Sequence, residues 1–529
     1  MTRTRAASLG FIEGGPKESP APRDNYWVMA RTGRPAKRRT VAALAALTLL
    51  AAACGSTVPA SELAGSQVAG PAGDGGLGGP AQGPSGGPGG PTGTGETGTG
   101  TGGTTTLPPP GGGPTPGLDP AVAPPGVTAD TIYVGAGYST DQGAANAAAG
   151  GVEADQGDYR DYYNVMIKRL NDAGGLLGRK IEPVYYEYKA LTGQQNTMDQ
   201  EACETYTRDN EVFLIIGTGD IMNECAKDAG TLQFGAGGAT KETYEQNPQR
   251  IDVEGVELIR QGRITVDGVR RRGYFEPGAR IGLVTWDEPN YRRGLEEGYI
   301  AELSRLGLAP AIEPAYLTTP DSLQGLGQTG ADASSAILRF ADAGITHVFL
   351  FDGPAGLCIG GCITIEWLNA AESQRYRPRY GFNVGNAAPS FYEGGEVPRE
   401  QVRRSISVEW LDVTAADDVG WRLNQPRERC YKIMAEAGYA SEDGNAQVAM
   451  ADACSTFWFL ELILNRIQGP LSVAAAIDSV NSLGYAYQST LSYYNYFSPE
   501  QHDGTAGARL VQFMDDCECF EYVTGAYKV

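Results

Sequence analysis

Short loop segments hold the groups best able to grip a small polar molecule. They are Gly137–Asp141 with Tyr138, Gly217–Asp220 with Thr218, Gly219 and Asp220, and Gly237–Thr240 with Gly238 and Thr240. Trp286–Tyr291, Asp352–Gly353 and Asn383–Asn386 complete the set. Gly217-Thr218-Gly219 and Gly237-Gly238-Ala239-Thr240 offer backbone N–H groups and hydroxyls where helices should start. Exposed donors and the helix dipole favour a carboxylate there. The same glycines could also be simple turns. Trp286 could cover an apolar body, and Asp352, Asp287 or Asp220 could meet an ammonium. Catalytic patterns are missing: there is no nucleophile elbow, no H-E-x-x-H and no phosphate loop. His347 and His502 are the only histidines, which leaves little for a Ser–His or zinc centre. Binding without turnover is expected, with no cofactor, no metal and no catalytic residue.

The elements that must position these loops alternate between strand and helix. Thr131–Gly135, Ile181–Tyr188, Val212–Ile216 and Thr231–Phe234 read as strands. Tyr159–Leu170 and Gln195–Asp209 read as helices, the first with Tyr163, Met166, Ile167 and Leu170 on one face. A second series follows: Ala279–Thr285, a helix to Leu306, Ile345–Phe351, Arg379–Phe382 and Ser405–Trp410. Helices Arg427–Ala437 and Val448–Arg466 precede a closing hairpin of Ala508–Met514 and Cys519–Val523. Such alternation implies parallel sheets covered by helices. About 400 residues are too many for one core and natural for two lobes. In open α/β sheets a ligand sits beyond the carboxyl ends of the strands, which selects the loops above.

One segment carries a specific resemblance. Asn171-Asp172-Ala173-Gly174-Gly175, then Gly178-Arg179-Lys180-Ile181, ends a helix, turns the chain and starts a strand. It is similar to the opening signature of type I periplasmic binding proteins, in the branched-chain amino-acid class of ABC-transporter substrate-binding proteins. Ala279–Gly294 resembles the start of that family's second lobe. The resemblance runs in order from about Val127 to Val529. It implies an α/β fold of two Rossmann-like lobes with parallel central sheets and a three-segment hinge. The chain would cross between lobes near 256–266, 402–408 and 490–498. The expected order is 1–54 signal peptide with lipobox, 55–127 linker, and 128–258 lobe 1, first part. Residues 259–405 would open lobe 2, 406–495 return to lobe 1, and 496–529 close lobe 2.

The resemblance also implies site roles. Thr240 falls on the family's binding threonine, in the wall that holds a ligand carboxylate, and Tyr291 on its cleft tyrosine. Amino-acid-binding members place an acid after the third strand of lobe 2, whereas this chain has Asn383-Val384-Gly385-Asn386. A buried ammonium without an anion is costly. Asp352, Asp287 or Asp220 would have to substitute. Otherwise an amide, small carboxylate or polyol joins an amino acid among the expected ligands.

Composition points to the compartment. A basic block through Arg39 precedes the apolar run Val41–Ala53 and Cys54. This is secretory-signal organisation, and the run is shorter than the about 20 apolar residues of a membrane span. Small residues before Cys54 resemble a bacterial lipobox, which implies lipidation of Cys54 and anchoring to the outer face of the cell membrane. The residues before Met29 lack signal character, so Met29 is a candidate start. The stretch from about Gly65 to Pro125 is rich in Gly, Pro, Thr, Ser and Ala and reads as a tether, with a reach on the order of 45 Å. The net charge of −21 disfavours a nucleic-acid partner.

Eight further cysteines, an even number outside the cytoplasm, read as disulfides. Cys203–Cys225, which resembles the family's lobe 1 disulfide, and Cys358–Cys362 are favoured by spacing. Cys430, Cys454, Cys517 and Cys519 pair among themselves in an order the sequence leaves open. A metal site of Cys358, Cys362, Cys517 and Cys519 is the competing reading. The family implies a solute receptor that delivers its ligand to ABC permease subunits. The alternative is a ligand-sensing domain acting on a separate signalling chain.

Overall fold

The computed structural model describes residues 124–148, 156–217, 219–358, 360–412, 415–416, 424–441 and 443–529. The signal segment, Cys54, the tether up to residue 123 and Thr218 lie outside the described residues.

The first sheet is parallel, with order β2-β1-β3-β4-β5. Its strands are β1 (Thr131–Tyr138), β2 (Lys180–Glu187), β3 (Leu214–Ile216), β4 (Leu232–Gly235) and β5 (Arg250–Asp252). Ile132, Val134 and Ala136 alternate along β1 and are buried. They share a core with Tyr162, Tyr163, Met166, Ile167 and Leu170 of the helix Tyr159–Asp172. The Asn-x-x-Gly-Gly motif has a mechanical basis. Asn171 Nδ2 donates to Ile181 O at 2.9 Å, and Ile181 N donates to Asn171 Oδ1 at 2.7 Å, clamping the helix end to β2. At Gly175 φ is +77°, and a Cβ would lie 1.9 Å from Arg179 O, so the close approach requires glycine.

The second sheet has order β12-β11-β10-β9-β8-β6-β7, with β13 paired to β11. Its strands are β6 (Ile281–Trp286), β7 (Ala315–Leu317), β8 (His347–Phe351), β9 (Arg379–Asn383), β10 (Ile406–Glu409), β11 (Gly507–Met514), β12 (Cys519–Tyr522) and β13 (Tyr527–Lys528). Strands β6 to β10 pair in parallel, while β11 runs antiparallel to β10 and forms the closing hairpin with β12. The two-lobed α/β reading therefore holds, with an antiparallel edge on the second sheet.

Three details differ from the sequence reading. Ile406–Glu409 pairs with β9, so the second sheet extends past residue 405 before the chain leaves it. Phe497 packs in the first core, so the return to the second sheet falls at Gly507 rather than at 496. Leu258 and Val266 of the helix Leu258–Arg271 pack in the second core, which places the first crossing before that helix. The short strands β5 and β7 carry too little pattern to read from sequence.

The helices Gln425–Glu436 and Gly444–Asn465 complete the first lobe. The latter is apolar enough to cross a membrane by composition, and most of it is buried inside the lobe. The disulfides are Cys203–Cys225, Cys358–Cys362, Cys430–Cys454 and Cys517–Cys519. The metal reading is overturned, because those sulfurs are joined as disulfides and supply no thiolate ligands.

Candidate functional site

A cavity of about 400 Å³ lies between the lobes. Its walls follow the carboxyl ends of strands from both sheets. Ala236 and Gly237 follow β4, and Glu254, Gly255 and Val256 follow β5. Opposite them, Asp352, Gly353 and Pro354 follow β8, and Val384 and Gly385 follow β9. The helix Gln142–Ala148 contributes Gln142, Ala145 and Asn146. The Cys358–Cys362 disulfide lines the second-lobe wall, as do Phe391, Glu396 and Trp410.

Asp352 is the sequence-chosen side chain that reaches this lining. It is fully buried and accepts from Gly353 N at 2.8 Å, Thr364 N at 3.0 Å and Thr364 Oγ1 at 3.1 Å. It thereby holds the start of the helix Cys362–Ser373. Burial raises its pKa to about 7 against those donated hydrogen bonds.

Other chosen residues stand behind the wall. Trp286 Nε1 donates to Gly353 O at 3.2 Å, and Tyr291 Oη donates to Pro354 O at 2.9 Å. Both buried rings support the loop after β8 rather than face the cavity. Asn383 N donates to Asn386 Oδ1 at 2.8 Å, and Asn383 Oδ1 accepts from Gly385 N at 2.9 Å. Asn386 Nδ2 donates to Thr364 Oγ1 at 2.9 Å. These asparagines fix the loop after β9. Thr240 is buried and caps the helix Lys241–Gln246 in a reciprocal pair with Thr243. Gly238, at φ +74°, faces across the lobes: a Cβ there would lie 3.6 Å from Pro354 O. Gly219 and Asp220 begin the helix Asp220–Ala229, and Tyr138 lies under the Arg160 guanidinium at 3.8 Å; none of these three lines the cavity.

The sequence reading missed Glu254. Its Oε1 accepts from Ser455 Oγ at 2.6 Å and Leu491 N at 3.4 Å. Burial, then the neighbouring Asp452 carboxylate, push its pKa up to about 8. Burial likewise raises Asp452, to about 6. The sequence carried no usable signal for it, because β5, Arg-Ile-Asp, is only three residues long and ends two places before it.

A buried ion pair orders the first-lobe wall. Arg250 donates from Nε to Asp252 Oδ1 at 2.9 Å and from Nη2 to Oδ2 at 3.0 Å. Arg250 also reaches Gly237 O at 2.5 Å and Asn223 Oδ1 at 2.8 Å, while Asp252 accepts from Gly237 N at 3.0 Å.

Solved structures share this architecture. One is a branched-chain amino-acid ABC transporter protein from Thermus thermophilus with bound valine, at 13% identity and TM-score 0.55, covering 76% of this chain and 98% of that one. Another is the solute-binding protein of an ABC transporter from R. palustris in complex with 4-hydroxybenzoate, at 13% identity and TM-score 0.55, covering 75% and 97%. A fatty acid ABC transporter substrate-binding protein from Thermomonospora curvata aligns at 15% identity and TM-score 0.53, covering 77% and 95%. The fold is that of the type I periplasmic binding proteins. No protein-family model matches the chain, and no curated protein matches it by sequence.

Proposed function

We propose that this protein is a non-enzymatic solute receptor that captures a small molecule between its lobes and delivers it to an ABC importer. The observation that carries this reading is the cavity, walled by the carboxyl ends of strands from both sheets. Two rigid lobes on a three-strand connection suit hinge closure around a ligand. The neighbouring folds, named for ABC transporters, support the same role. An extracytoplasmic site of action fits the disulfides among the described residues, which persist in oxidising compartments. Lipidation at Cys54 and the Gly/Pro-rich tether belong to the same proposal, and would hold the receptor near its permease.

The test is a solute screen by thermal shift, with hits carried to small-angle scattering. A ligand at about a hundred times its dissociation constant stabilises the folded state by about 2.7 kcal/mol, and closure should lower the radius of gyration. A broad screen that produces neither stabilisation nor compaction would refute the receptor reading.

A further inference from the structure

We infer that the interlobe cavity takes an organic cation, a protonated amine on an apolar body without a carboxylate, with its charge held at Glu254. This deepens the solute-receptor reading and rests on it. The ionisable side chains in the described lining are Glu254, Asp352 and Glu396, all acidic, and the lining includes no Lys, Arg or His. A bound carboxylate would meet these acids with no cation to offset its desolvation.

Backbone donors could substitute for a cation, but three glycine N–H groups on the walls are engaged. Gly237 N donates to Asp252 Oδ2 at 3.0 Å, Gly353 N to Asp352 Oδ1 at 2.8 Å, and Gly385 N to Asn383 Oδ1 at 2.9 Å. In the loops that sequence reasoning marks for anion binding, Gly217 N donates to Phe234 O, Gly237 N to Asp252 and Thr240 N to Thr243 Oγ1.

Glu254 is the acid best placed to hold a cation. Glu254 lines the cavity, and the Asp452 carboxyl is its acidic neighbour. Neither forms an ion pair with a basic side chain among the described residues, so the pair retains charge capacity that an ammonium would satisfy. Glu254 accepts from Ser455 and Leu491 but is only half-buried, whereas Asp352 accepts from three donors and is fully buried. Trp410 and Phe391 add aromatic surface to the same cavity; ring faces attract cations and accept apolar bodies. Leu357, Ile365 and Val384 make much of the remaining surface apolar.

The test is calorimetry on the full chain with matched probes. Hexyl, cyclohexylmethyl and phenylethyl bodies are each presented as ammonium, carboxylate and alcohol, with leucine and phenylalanine as zwitterions. The expected result is an ammonium that binds about tenfold or more tighter than its carboxylate twin, the scale of one charged hydrogen bond. Glu254→Gln should abolish that preference while the variant still melts cooperatively. The assignment is overturned if a carboxylate or zwitterion binds more tightly, if no ammonium binds at millimolar concentration, or if the preference survives in Glu254→Gln. Binding of carboxylates or alcohols would overturn the cation assignment and leave the receptor reading standing. Silence from every probe class together with a failed solute screen would remove both.

Discussion

Replacing Arg250 by Met tests whether the cavity wall depends on one buried charge pair. Arg250 is 1% exposed and Asp252 is fully buried. The guanidinium makes two bonds to Asp252 and one each to Asn223 and Gly237. Its loss leaves the Asp252 carboxylate with Gly237 N and Tyr244 Oη as donors. It also leaves the Gly237 carbonyl without this donor. Breaking a buried pair from one side costs about 3–5 kcal/mol, because the remaining charge is uncompensated. Removing both charges, as Arg250→Met with Asp252→Asn, should cost less than the two single changes added, with a coupling of about 0.5–3 kcal/mol. Denaturant unfolding of the four proteins gives these differences, and the transition of each must be checked for two-state form, since two lobes can unfold separately. Ligand affinity should fall in Arg250→Met, because the Gly237 loop walls the cavity. A single-variant cost under about 1 kcal/mol, or strict additivity, would refute the claim that the pair organises this wall.

Two further outcomes are expected. The ligand-free protein should lose stability as pH rises from about 4.5 to about 8, because Glu254 keeps its proton in the folded state over that window and the unfolded chain does not. Among the groups facing Glu254, Asp452 opposes its ionisation, while hydrogen bonds from Ser455, Ser489 and Leu491 favour it and the Tyr159 and Tyr487 phenols stay neutral over this window; thermal melts of Glu254→Gln should show a smaller slope, and an unchanged slope would place the titration elsewhere. A Cys54→Ala form should leave the membrane fraction for the soluble one on fractionation, and its retention with membranes would exclude lipidation at that residue as the anchor.

Much of the fold was legible because buried parallel strands announce themselves. Val212–Ile216 and Ile345–Phe351 are continuous apolar runs, as strands covered on both faces must be, and they fall on β3 and β8. The Asn171–Gly175 motif was legible for another reason: a side-chain clamp and a glycine-only approach restrict which residues fit. Strands β5 and β7 are only three residues each and left no period to detect.

The cavity was harder to read, and the reason is chemical. Thr240, Asn383 and Asn386 have groups that could bind a ligand or satisfy the backbone, and a sequence does not say which use prevails. Here the caps and loop bonds take them. The same competition takes the N–H groups of Gly217, Gly237, Gly353 and Gly385, so a glycine-rich loop after a strand is weak evidence for an anion site unless its donors point outward. Glu254 presents the opposite case. Its local sequence, Asp-Val-Glu-Gly, marks nothing. Its character comes from Asp452 and Ser455, both on the long helix Gly444–Asn465, which folds back onto the first lobe. A carboxyl becomes a candidate cation site only when the fold withholds every basic partner from it, and that condition is long-range by nature.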